Sequence, residues 1–183
     1  METMTMLLSA KTSVVVAVDL QGRLLPAIDN GSNVLAQAQR LLRMAALLDV
    51  PRISTVHRPE KLGPTEAMVR SLVTHEIEKT TFNACHAELL DALPSAADDV
   101  VIFGCEAHVC LLQTAMGVLM SGRRVWVVEE ACGSRHASDK ATAMARLRQA
   151  GAQIISVEMA GFEWMHDSLD PRFREFQALV KAV

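Results

Sequence analysis

The sequence predicts an α/β fold, a parallel sheet covered by helices on both faces. Short β-branched runs alternate with longer helical patterns along the chain. The first run is nearly continuous in apolar residues, as in a strand buried on both faces, whereas a half-solvated strand alternates. Strands separated by helices of this length imply right-handed βαβ crossovers.

Residues 13–19 (SVVVAVD) are that first strand. The turn Asp29-Asn30-Gly31-Ser32 leads into a helix over 34–48, with Leu35, Leu41, Leu42, Ala45 and Leu48 at helical spacing. Pro51 stops it, and residues 52–57 (RISTVH) read as the second strand. Residues 58–65 hold two prolines and a glycine and read as a surface loop. A less regular strand is expected over 75–80 and a short helix over 84–93, ended by Pro94. Residues 99–104 (DVVIFG) form a strand, followed by a helix over 106–121 whose face carries Val109, Leu112, Met116 and Leu119. Gly122 ends that helix, and 124–129 (RVWVVE) is the next strand. A helix over 138–150 closes at Gly151, residues 153–157 form a last strand, and 171–183 a closing helix with Pro171 in its first turn. No repeat or composition break divides the chain, so residues 1–183 are expected to form a single domain.

Half the residues are hydrophobic and the formal net charge is −3, a globular composition far from the disordered regime. No basic cluster exceeds Arg123-Arg124, so no nucleic-acid partner is expected. Residues 1–11 lack the basic start and apolar run of a signal peptide. Apolar stretches are too short to span a bilayer. The expectation is a cytoplasmic protein whose four cysteines, Cys85, Cys105, Cys110 and Cys132, are free thiols.

In an open parallel sheet the ligand site lies beyond the carboxyl ends of the strands. That rule selects Asp19, His57, Lys79, the segment 104–110 and the segment 129–133. A carboxylate ending a Val-rich strand is costly unless paired or used, although it also fits a turn cap. Cys110 falls in the first turn of a helix, where free N–H groups and the helix dipole favour a thiolate; as a small apolar residue it equally fits simple packing. Lys79 fits a solvated surface charge or a partner for Asp19. Together the three make a nucleophile, a general acid/base and a positive charge that positions it.

The segment Gly104-Cys105-Glu106-Ala107-His108-Val109-Cys110, with Leu111-Leu112-Gln113-Thr114-Ala115, resembles the nucleophile segment of the isochorismatase-like hydrolase family. Val16-Ala17-Val18-Asp19-Leu20-Gln21 and Glu78-Lys79-Thr80-Thr81-Phe82 are similar to its acid and lysine motifs, in order. Residues 127–135 and Ala150-Gly151-Ala152 resemble its later blocks, so the likeness spans about 14–164. The resemblance implies a three-layer αβα architecture with a Rossmann-like, six-stranded parallel sheet. It implies an Asp19–Lys79–Cys110 triad acting through a covalent acyl-type intermediate. It also implies a cis peptide bond between Cys105 and Glu106, with the N–H groups of Glu106 and Cys110 as oxyanion hole. Members with cysteine at the nucleophile position resemble amidases, which turns the expected chemistry toward a small amide and away from isochorismate. The Leu62 to Thr65 loop is similar to that of family proteins of unassigned substrate.

Metal-binding relatives in that family carry an Asp-x-His after the second strand, which Ser54-Thr55-Val56-His57 lacks, and His57 has no His, Asp or Cys neighbour at ligand spacing. No metal and no cofactor are expected, and His57 is read as a pocket residue. Leu24 and Leu25 are read as an apolar pocket wall, and Phe82 as a core, interface or pocket residue. His108, two residues before Cys110 and so on a different helix face, is read as an interface or surface residue. A non-catalytic ligand-binding protein on the same fold is the competing reading; dinucleotide binding lacks a Gly-rich turn after residue 19. The resemblance further implies a homo-oligomer, with residues 108–120 and the C-terminal region as contacts.

Overall fold

The computed structural model describes residues 6–182. Val183, the last residue of the expected closing helix, and residues 1–5 of the amino-terminal segment lie outside the described residues.

Six strands form one sheet in the order β3-β2-β1-β4-β5-β6, every neighbouring pair parallel. They are β1 (Ser13–Val18), β2 (Arg52–His57), β3 (His75–Lys79), β4 (Asp99–Cys105), β5 (Arg124–Gly133) and β6 (Gln153–Ile155). The two central strands β1 and β4 are buried along their whole length, which explains their unbroken apolar sequence. The helices are α1 (Gly31–Leu47), α2 (Pro59–Leu62), α3 (Ala67–Leu72), α4 (Leu89–Ala92), α5 (Leu112–Met120), α6 (Ala137–Gln149), α7 (Val157–Met165) and α8 (Phe173–Lys181). Helix α1 packs with α3, α7 and α8, whereas α5 packs with α6. The sheet is thus sandwiched between two helical layers, the expected αβα architecture.

Several elements depart from expectation. The loop expected at 58–65 contains the single-turn helix α2. Helix α3 follows it, held at its start by the Glu66 carboxylate, which accepts from the N–H groups of Met68 (2.8 Å) and Val69 (3.2 Å). The helix expected over 84–93 is a 3₁₀ turn (Ala84–His86) and the short α4, parted at Ala87-Glu88. The last strand stops at Ile155 because Ser156 caps a new helix: its hydroxyl accepts from the Met159 N–H at 3.1 Å. The Glu130 carboxylate accepts from the Val157 N–H at 2.7 Å. Buried Arg40 on α1 then ties the C-terminal layer together, donating to the carbonyls of Leu179 and Val180 and to Glu158. Among the described residues no helix is long and apolar enough to cross a membrane.

Candidate functional site

Strand β1 ends one residue before Asp19, whose positive φ of 49° turns the chain off the sheet. The residue is fully buried. One carboxylate oxygen accepts from the Thr55 hydroxyl at 2.6 Å, the other from Lys79 Nζ at 2.7 Å. Register explains both contacts: Val18 lies beside Thr55, and His57 beside Lys79. Lys79 therefore reaches from the edge strand across β2 to β1. Both charged ends are out of solvent, so removing one partner would strand the other charge, at a cost of about 3–5 kcal/mol.

Strand β4 crosses this end at Gly104 (φ 130°), where an added Cβ would lie 2.0 Å from the Val18 carbonyl oxygen. Only glycine permits that approach. The Cys105–Glu106 peptide bond is cis. The chain then enters a π-turn over Ala107–Leu111 before α5 begins, the Leu111 N–H donating to the Glu106 carbonyl at 3.2 Å. Cys110 sits in this turn, buried, and ligand atoms of Asp19, His57 and Cys110 all lie within 4.8 Å of one another.

That placement corrects the expectation of a readily ionised thiol. Burial pushes the Cys110 thiol up to about 12; the Asp19 carboxylate adds to the rise and Lys79 opposes it. Desolvation and a facing negative charge outweigh whatever the helix start contributes.

His57, at the end of β2, is half-buried, its ring 5.4 Å from that of Phe82 and tilted by 30°. Its Nδ1 has no hydrogen-bond partner among the described residues. Burial first, and then Lys79, lowers its pKa. Along the chain His57 has no ligand neighbour, but the fold brings Asp19 and Cys110 to it. Phe82 is half exposed beside it, which excludes the core position among its readings. Leu24 is partly buried against the core and Leu25 fully buried. A separate cleft of about 680 Å³, lined by Asp29, Asn33, Glu129, Ser134 and Lys140 among others, contains none of Asp19, Lys79 or Cys110.

Residues not assigned from sequence hold the site together. Buried Gln21 donates to the carbonyls of His57 (3.0 Å) and Gly63 (2.6 Å) and accepts from the His57 N–H (3.0 Å). It staples the Asp19 turn to β2 and the 62–65 loop. A buried glutamine two residues after a buried acid was the available signal. His108 is not a free surface residue: its Nδ1 lies 2.9 Å from the Ser134 hydroxyl, and Nε2 lies 3.8 Å from Asp139. The Glu106 carboxylate accepts from Arg135 N–H and Nε at 3.0 and 3.1 Å. Two side chains beside Cys110 are thus clamped to the corner after β5.

Comparison with known proteins fits this geometry. The family model for the isochorismatase domain matches residues 13–159. Isochorismatase domain-containing protein 2A of Mus musculus is 35% identical over 173 residues, covering 93% of this chain and 84% of the mouse protein. The solved MAR1 ribonuclease of Caenorhabditis elegans superposes with a TM-score of 0.91 at 30% identity, over 95% of this chain and 92% of that one. The YcaC protein of Escherichia coli, an octameric hydrolase of unknown specificity, superposes at 0.86 with 20% identity, over 98% and 97% of the two chains. At that identity the likeness is one of fold.

Proposed function

The chain belongs to the isochorismatase domain family, and from that premise we propose that it is a cysteine hydrolase cleaving a small amide or related acyl compound. One observation carries the reading: a fully buried Asp19–Lys79 pair at 2.7 Å with the Cys110 sulfur within 4.8 Å of the carboxylate. Cys110 attacks the acyl carbon as its proton passes to Asp19. With the thiol held up near 12, proton removal must accompany C–S bond formation, the task of a general base. Asp19 then gives that proton to the leaving nitrogen as the C–N bond breaks, forming a thioester on Cys110. It next deprotonates the water that hydrolyses the thioester, and the free thiol returns. Lys79 and Thr55 hold the carboxylate, and the N–H groups of Glu106 and Cys110 receive the oxyanion. His57, Phe82 and Leu24 contact the substrate, and no metal or cofactor takes part.

The whole chain acts as one unit, in a reducing compartment that keeps its four free thiols intact, and assembles with further copies. The ribonuclease among its structural relatives offers a second activity. A net charge of −3 and a lysine spent on Asp19 favour a small molecule over RNA. Screening small amides, with RNA in parallel, against wild type and Cys110→Ala decides. Amide hydrolysis lost in the variant is expected; hydrolysis that survives the substitution, or RNA cleavage alone, would refute the mechanism.

A further inference from the structure

We propose that Asp19, His57 and Cys110 form a binding site for a thiophilic divalent cation, with zinc the fitting ion, and that the ion blocks the enzyme reversibly. The inhibitory consequence rests on Cys110 being the nucleophile; the binding does not. A thiol, an imidazole and a carboxylate form a donor set suited to zinc, and three protein ligands leave a fourth position open. Their ligand atoms lie within 4.8 Å of one another, and no other His, Cys, Asp or Glu group among the described residues converges in this way. Tetrahedral zinc with bonds of about 2.0–2.3 Å needs ligand atoms about 3.5 Å apart. The side chains therefore need to close in by at most about 1.3 Å. His57 ends its strand with one ring face against the half-exposed Phe82. Its Nδ1, buried and without a hydrogen-bond partner, is a nitrogen with coordinating capacity to spare.

Lys79 sets the character of the site. Its ammonium group lies 2.7 Å from Asp19 and occupies ground that a resident cofactor ion would claim. The cation therefore enters as a competitor, replacing the Cys110 proton, which leaves to solvent, and forming a metal–sulfur bond. While it is bound, the electron pair that would attack a substrate carbon is engaged in the metal–sulfur bond. A chelator takes the ion out and restores the thiol.

Titration of the metal-free full-length protein with Co²⁺, followed by Zn²⁺ displacement, tests this without any substrate. One ion per chain is expected, with a thiolate-to-cobalt absorption band in the near ultraviolet. Cys110→Ser should abolish the band, and His57→Asn should weaken binding by about tenfold or more. Thermal melting of both variants verifies that each is folded. Absence of saturable binding overturns the proposal, as does binding that both variants leave unchanged. Because the readout is spectroscopic, it stands apart from the amide screen. Cobalt binding with no hydrolysed amide supports the metal site and counts against the hydrolase, and the reverse pairing does the opposite.

Discussion

Replacing Asp19 by Asn should have opposite effects on the reactivity of the Cys110 thiol and on the proposed hydrolysis. The carboxylate lies no more than 4.8 Å from the Cys110 sulfur. Two unit charges at that separation interact by about 3.5 kcal/mol at an effective dielectric of about 20, which is about 2.5 pKa units. Asp19→Asn removes that repulsion and leaves Lys79 facing the sulfur alone, so the thiol falls from about 12 toward the ordinary cysteine range. At a fixed pH near 8 the thiolate fraction, and with it the rate of iodoacetamide labelling at Cys110, should rise by about 300-fold. Peptide mass spectrometry reads the rate site by site, with half-buried Cys85 as internal reference. Under the proposed mechanism hydrolysis should vanish in the same variant, because Asp19 is its base. Slower or unchanged labelling of the folded variant would refute the electrostatic account of the site. Fast labelling of the wild type near pH 7 would do so equally.

Three further outcomes are expected. Gly104→Ala sets a Cβ 2.0 Å from the Val18 carbonyl oxygen at a φ of 130° and should cost about 3 kcal/mol or more in urea unfolding. Burial raises the thiols of Cys105, Cys110 and Cys132 above their unfolded values. The folded state thus holds these protons more tightly, and the stability they contribute is full below about pH 8.5. It should decline above that, by up to about 1.4 kcal/mol per pH unit for each thiol; denaturation curves that stay flat from pH 8 to 10 would contradict the burial. His108→Ala unclamps the Cys110 turn from Ser134 and, under the proposed mechanism, should lower kcat with little change in KM. His108→Asn, whose amide can still reach the serine hydroxyl, should recover much of the loss; equal loss in both would mean the ring acts otherwise.

The fold was readable because the pattern is strong where the sheet is deepest: β1 and β4 are continuous Val-rich runs, and Gly, Pro and Asp mark their ends. Helix α7 escaped because Ile154, Ile155 and Val157 read as one strand across Ser156. Only the capping contacts of Ser156 and Glu130 show that the chain turns there. The carboxyl-end rule also separated two similar acids. Asp19 and Asp99 are both fully buried at the ends of Val-rich strands. Asp99, however, stands at the amino end of β4, bound by Arg124 and Trp126 Nε1 at 2.7 Å each, a structural arrangement. What spacing along the chain does not carry is lateral register. Thr55, His57 and Lys79 meet Asp19 and Cys110 because neighbouring strands align. For that reason the Thr55 contact, and the nearness of His57 to two further ligand atoms, appear only in three dimensions.

That alignment has a consequence for how the sheet protects itself. Strand β3 is an outer strand, five residues long, bonded to β2 alone, and such strands invite slippage or pairing with a foreign chain. Successive side chains point to opposite faces, so a one-residue slip would carry Lys79 to the far side and leave Asp19 charged and alone in the interior. The ion pair therefore works as a key in a lock: only the native offset of β3 is tolerated, and an intruding strand without a lysine at that place would leave the buried acid without its counter-charge.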